Sequence, residues 1–215
     1  LVVASLPPDM NVEEAGAGPG IFLVPANTAG LDCKTLRMVD SRSAARVELR
    51  GVELPASARL GEGGPVQQAL SFGLDAGRIG LAAEMLGNAQ EAFDRTLRYL
   101  KLREQFGVAI GSFQALKHRA ATLYCELELT RSAALAALGA LDCAREEVPA
   151  LASLAKAKAC EVIELMSNEA IQMHGGIGMT DAEEIGLFLK RARVAQQIYG
   201  DASFHRARYA TLMGY

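Results

Sequence analysis

From Pro65 onward the apolar residues of this chain recur at three- and four-residue steps, which commits most of it to helices. Ala82, Leu86, Ala89, Phe93, Leu97 and Leu100 form one stripe, predicting a helix from about residue 66 to 103. Pro65 is acceptable in its first turn. The stretch also holds Gly73, Gly77, Gly80 and Gly87, each costing about 1 kcal/mol against Ala in a helix. They predict close helix packing, or a ligand against the backbone near residues 73–80. A second helix follows Gly111, with Leu116, Ala120, Leu123, Leu127, Ala134, Leu138 and Leu141 on its stripe. A third starts near Pro149, carries Leu151, Ala155, Ala159, Val162 and Met166, and stops at Gly175-Gly176. A fourth starts at Thr180, where Thr-Asp-Ala-Glu reads as a capping box with Glu183. Its stripe is Ile185, Phe188, Leu189 and Ala192, and a short fifth helix covers residues 202–212. The prediction is a mainly α protein, an up-and-down helical bundle over residues 65–215.

Residues 1–61 follow a different rule. "LVVAS" and "GIFLVPA" are short apolar runs bounded by Pro, Gly and Asn. "AARVELRGVELPA" alternates Val47 and Leu49 with Glu48 and Arg50, then continues with Val52 and Leu54 after Gly51. These are expected strands of a small sheet or barrel, joined to the helices by the linker "GEGG" at residues 61–64. The chain opens without Met and already in a strand-like run, so a piece beginning inside a domain is expected.

The 215 residues fit one large domain or two small ones, and half are hydrophobic, so a sizeable core is possible. The net charge of −3 gives no support for nucleic-acid binding. No signal peptide is visible, and no apolar run reaches the roughly 20 residues a membrane span needs. Cys33, Cys125, Cys143 and Cys160 form no Cys-x-x-Cys pair, and the three histidines are scattered, which argues against a metal site. Buried free thiols in a reducing, cytoplasmic compartment are expected.

Three stretches carry candidate chemistry. In "LREQFG", Arg103 offers a planar cation suited to phosphate, Gln105 an amide and Phe106 a flat ring. The same residues also suit an ordinary helix end, with Lys101 and Arg103 at its negative pole and Gly107 as C-cap. In "QMHGGIGMT", Gly175, Gly176 and Gly178 let a ligand approach the backbone, and a helix start follows. Gln172 and His174 are in reach of a cofactor, although the stretch also reads as a plain interhelix turn and His174 as a packing residue. In "LDAGR", Asp75 and Arg78 at i, i+3 read as a surface pair.

Taken together, "RxQFG…FQ" followed some 60 residues later by "QxxGGxG" resembles the C-terminal half of the acyl-CoA dehydrogenase family. The resemblance covers the whole chain. "GIFLVPANTAGL" and "VELRGVELPASARLGEGG" look like the last strands of the family's middle β-domain, making residues 1–61 the remnant of a β-barrel domain ahead of the bundle. It implies FAD as cofactor, acyl-CoA thioesters as substrates and an electron-acceptor flavoprotein as partner. It also implies a homo- or hetero-oligomer, dimer or tetramer, in which the Arg-x-x-Phe-Gly turn reaches the partner subunit's cofactor. Carried over, Arg103, Gln105, Phe106, Gln172, Gly175 and Gly176, and less directly Gln114, would contact FAD. Asp75 and Arg78 match positions near the CoA end of the thioester.

The family removes an α-proton with a carboxylate while hydride leaves the β-carbon, and burial suits such a base by raising its pKa. Most members carry this Glu in a "Y-E-G-T" stretch, which here is "QQIYGDAS". One register places Tyr199 on the Glu and Asp201 on the Thr; the other places Gly200 on the Glu. A minority carry the Glu in "LDxER", where this chain has Gly77. Both positions lack a carboxylate. A base-lacking subunit of a heteromeric dehydrogenase, Asp201 as a substitute base, a base elsewhere, a different reaction, and a non-catalytic helical binding or scaffold module are the competing expectations.

Overall fold

The computed structural model describes residues 1–4, 20–61 and 64–215. The middle two residues of the "GEGG" linker and the end of "LVVAS" lie outside the described residues. The chain divides into two units, Leu1–Leu74 and Asp75–Tyr215.

In the first unit, β1 (Val2–Ala4) pairs antiparallel with β2 (Gly20–Phe22). β3 (Leu31–Arg37) pairs with β4 (Ser43–Leu49) in a register running from Leu31 opposite Leu49 to Arg37 opposite Ser43. The alternation seen in the sequence holds only to Leu49. Gly51 has φ 59°, which turns the chain, and Val52 and Leu54 lie in no strand. Val47 and Leu49 remain exposed on this pair.

The helices follow as α1 (Gly64–Leu102), α2 (Gln114–Cys143), α3 (Val148–His174), α4 (Ile185–Gln197) and α5 (Ala202–Met213). α3 is the central helix, packed by α2, α4 and α5. It buries Ala152, Ala155, Ala159, Val162, Ile163, Met166 and Ala170, one apolar face at 3.6 residues per turn, which Cys160 and Ala157 extend further round the helix. The small side chains let neighbouring backbones come close. The buried face of α1 carries Ile79, Ala82, Met85, Ala89, Ala92, Phe93 and Leu100. Leu86 and Leu97, on the expected stripe, sit only half-buried at its margin. On α2 the buried positions shift likewise, from Leu138 and Leu141 to Ala137 and Ala140.

Two expectations about the helices are corrected. α4 starts at Ile185, and Thr180 makes no capping box. The Thr180 hydroxyl donates to the Ile177 carbonyl at 2.8 Å, and the Glu183 amide reaches the Thr180 carbonyl, so the segment is a turn. The glycines of α1 do not mark a uniformly close-packed helix. A Cβ at Gly73, Gly80 or Gly87 would meet no atom within 4 Å; Gly77 alone of these four is approached. Among the described residues, no helix is long and apolar enough to cross a membrane and no cluster suits a metal ion. All four cysteines are free, but only Cys160 is buried; the other three are exposed, contrary to expectation.

Candidate functional site

α1 ends at Leu102, and the next residues fold into a tight hairpin, β5 (Glu104–Gln105) against β6 (Val108–Ala109). Its two-residue loop is Phe106-Gly107, with φ of 56° and 79°. Positive φ at both loop positions matches the right-handed twist of a hairpin. Gly107 is therefore a hairpin residue and not the C-cap of α1. Positive φ is costly for a bulky residue, roughly 1–3 kcal/mol. The result is that Phe106 stands 91% exposed, its ring steeply tilted to that of Phe113 with 6.1 Å between ring centroids. The hairpin is closed at its base by the Ile110 amide donating to the Arg103 carbonyl at 2.8 Å.

α3 ends on the opposite wall. Gly175 has φ 67° and stops the helix, its amide donating to the Gln172 carbonyl. A Cβ at Gly175 or Gly176 would meet nothing within 4 Å, so the backbone there is open to a ligand. His174 is buried, and its Nδ1 lies 2.7 Å from the Ala170 carbonyl, which only accepts, so Nδ1 carries the proton. Tyr99 stacks on the His174 ring at 4.4 Å and donates its hydroxyl to the His174 carbonyl at 3.1 Å. His174 thus fixes the turn.

Between these walls lies a pocket of about 710 Å³. Arg103, Gln105, Phe106, Gln172, Gly175 and Gly176 all line it, with Tyr99 and Phe113 among the rest. Gln114 does not line it; it begins α2 beside Phe113. Arg119 also lines it, but is paired with Glu169 at 2.6 Å. Arg103 has no ion-pair partner among the described residues. The pocket therefore presents a cation, amides, an exposed ring and open backbone, a set suited to a phosphate flanked by an aromatic base.

The second set of candidates lies around the turn between α4 and α5. Asp75 is buried, not on the surface as its spacing with Arg78 suggests. Arg208 grips it with two hydrogen bonds of 2.8 Å, and Arg78 adds a third at 2.8 Å. Arg208 also donates to Ser153 Oγ at 2.9 Å and to the Pro149 carbonyl at 3.1 Å. The buried Asp75 has no exposed carboxylate for the substrate contact expected of it. Arg78 further donates to the Tyr199 carbonyl at 3.3 Å and lies over the Phe204 ring at 5.7 Å.

Gly77 and Tyr199, the two expected base positions, face each other. A Cβ on Gly77 would sit 3.1–3.3 Å from the Tyr199 ring and hydroxyl. Asp201 caps α5, accepting from the Phe204 amide at 2.8 Å. Sequence reading missed the groups beneath this turn. Lys156, fully buried, donates to the Gly200, Ala195 and Gln196 carbonyls at 2.8, 3.2 and 3.3 Å. His205, also buried, places Nε2 3.1 Å from the Tyr199 carbonyl, and its pKa is lowered to about 4, chiefly by burial. The available signal was a lysine inside the apolar stripe of α3.

Residues 64–213 match the acyl-CoA dehydrogenase C-terminal domain. The chain is 33% identical over 176 residues, 80% of its length, to the mitochondrial short/branched chain specific acyl-CoA dehydrogenase of Bos taurus, covering 40% of that protein. It is 41% identical over 124 residues, 58% of its length, to acyl-CoA dehydrogenase IpdE2 of Mycobacterium tuberculosis, covering 37% of it. A solved structure of a variant of the Tcur3481-Tcur3483 steroid ACAD matches with a TM-score of 0.82 at 31% identity, over 92% of this chain and 52% of that one. The chain thus spans less than half the length of these two curated relatives.

Proposed function

Because the chain belongs to the acyl-CoA dehydrogenase family, we propose that the intact protein dehydrogenates acyl-CoA thioesters with FAD as base-lacking partner in a heteromeric enzyme. The observation that carries the cofactor reading is the pocket between the 103–109 hairpin and the end of α3, with an arginine that has no ion-pair partner among the described residues and an open glycine backbone. Arg103 would hold the pyrophosphate, Gln105 and Gln172 would hydrogen-bond the cofactor, and Phe106 would cover its adenosine side. Gly175 and Gly176 leave room for that approach, and Gln114 stands at the edge of the set. Bound FAD would supply the hydride acceptor, from which an electron-acceptor flavoprotein would take the electrons. Residues 1–61 belong in this reading to the middle β-domain and residues 65–215 to the helical domain.

The positions at which the resemblance places the family's base carry no carboxylate here. Gly77 and Gly200 have no side chain to ionise, and Tyr199 carries a phenol where the family has a carboxylate. Asp201 is engaged as an N-cap, which weighs against it as substitute base. A partner subunit bearing the Glu completes the chemistry, and the similar steroid ACAD named for two chains supports that arrangement. Tyr124, Leu135 and Leu138, exposed on one face of α2, support assembly into a dimer or dimer of dimers. The free thiols support a reducing compartment, so we place the protein in the cytoplasm.

The test is the intact protein purified alone and with the product of any paralogous neighbouring gene. Expected are oxidised-flavin absorbance, no turnover of an acyl-CoA panel by the chain alone, and turnover in the mixture. A colourless protein rejects the flavin reading. Ordinary turnover by the chain alone, abolished by Asp201→Asn, rejects the partner-supplied base.

A further inference from the structure

The turn between α4 and α5 is held in a conformation its sequence does not favour. Tyr199 has φ 61°, a costly value for an aromatic residue, and Gly200 follows at φ 103°. Such strain persists only where the surroundings over-determine it. Three side chains from three helices do so. Lys156 of α3 points its ammonium up at the Gly200 carbonyl (2.8 Å) and binds the last carbonyls of α4 with its other protons. His205 of α5 and Arg78 of α1 both reach the Tyr199 carbonyl, at 3.1 and 3.3 Å. An ammonium has three donors and no acceptor, so carbonyls are a complete set of partners for it. A wholly buried cation is expensive unless such partners surround it, which marks Lys156 as more than a packing residue.

We propose that Lys156 is a positioning residue: it locks the Tyr199–Gly200 turn so that the Tyr199 ring lies against the bare backbone of Gly77. The residue thereby sets what occupies the reaction end of the site, and it rests on the reading that relatives carry their base at these two positions. A Cβ at position 77 would press on the ring at 3.1–3.3 Å, so a side chain there needs the Tyr199 ring to give way. Tyr199 is half-exposed, and its hydroxyl lies on the Gly77 side of the ring, 3.3 Å from where a Cβ of residue 77 would sit.

The experiment is fluorine NMR on the intact protein labelled with 3-fluorotyrosine, with Tyr199 assigned through Tyr199→Phe. In Lys156→Met the Tyr199 resonance is expected to move towards the free-tyrosine position and narrow. Tyr99, stacked on His174, should stay in place. Hydrogen exchange at the Phe204 and His205 amides should rise about tenfold or more, as for loss of a charge-assisted hydrogen bond. An unmoved Tyr199 resonance, or equal movement of Tyr99 and Tyr199, overturns the proposal. Gly200→Ala approaches the same turn from the other side, since a Cβ there would lie 2.4 Å from the Phe204 ring. It should displace the Tyr199 resonance with Lys156 intact, and an unmoved resonance would again overturn the idea even if Lys156→Met does not fold. Flavin content is read separately from absorbance, so failure of the cofactor reading shows as a colourless protein.

Discussion

The pocket beside the 103–109 hairpin and the polar cluster beneath Tyr199 draw on similar residue types and put them to opposite uses. In the cluster every charge has a partner: Asp75 takes two arginines, Lys156 takes carbonyls, and His205 is neutral between Ser153 and the Tyr199 carbonyl. In the pocket Arg103 faces solvent without an ion pair among the described residues, and Phe106 is bare. A buried group must be satisfied internally, whereas an exposed one is free to be satisfied by a ligand. Accounting for partners thus separates scaffold from binding surface where residue type does not.

The comparison breaks most sharply at Asp75. Asp75→Ala leaves Arg78 and Arg208 facing each other, and loss of one member of a buried ion pair costs about 3 kcal/mol or more. The urea midpoint of the intact protein should fall accordingly, and a change below about 1 kcal/mol would show that the cluster is not structural.

The next largest effect is on acidification. His205 in the folded state titrates at about 4 against 6.5 for the free side chain, held down by burial and by the nearby Lys156, Arg78 and Arg208. Below pH 6.5 the unfolded state takes up the proton and the folded state does not, so stability drops as pH falls towards 4. From pH 7.5 to 4.5 the loss attributable to His205 is about 2–3 kcal/mol. His205→Gln should flatten the pH dependence of urea unfolding by that amount relative to wild type.

Arg103→Ala sharpens the other side of the comparison. FAD retention should fall about tenfold or more, for a charge-assisted contact of roughly 1.5–3 kcal/mol. Stability without flavin should change by no more than about 0.5 kcal/mol. Unchanged flavin occupancy after dialysis would return Arg103 to the role of a helix-end cation.

The smallest effect belongs to Glu164, whose pKa is lowered by hydrogen bonds from Arg193 and then Gln196. Its side chain is half-exposed and screened, so Glu164→Gln should cost less than about 1 kcal/mol at pH 7. That contribution is present above pH 4.5, is lost as pH falls below it, and is checked by the same unfolding series.

The helices were legible because a three-to-four-residue apolar repeat is a local property, and so were the glycines that end α3. The pocket was legible only through resemblance to a known family, since Arg103 and Gln172 lie far apart in the chain and neither helix end alone shows the other. What escaped notice was long-range partnering. Asp75 and Arg78 look like a surface pair until Arg208 arrives, 133 residues away. Gly77 looks like a packing glycine until the Tyr199 ring is laid on it. Thr180 to Glu183 satisfies a capping pattern that the chain uses as a turn, because local motifs do not specify where the next helix must begin. Phe106-Gly107 was readable as a hairpin loop from its position between two short polar-apolar pairs, but was overshadowed by the helix-end signal.

The ammonium of Lys156 also touches Cys160 Sγ at 3.2 Å, one turn along α3. Burial pushes this thiol's pKa up, against a partial counter-pull from Lys156. Only a thiolate attacks an alkylating reagent, and Cys33, Cys125 and Cys143 are exposed to one. Cys160 is therefore a natural chronometer of the bundle. Its labelling in the native protein should lag behind the other three and proceed at the rate at which α3 and α4 part.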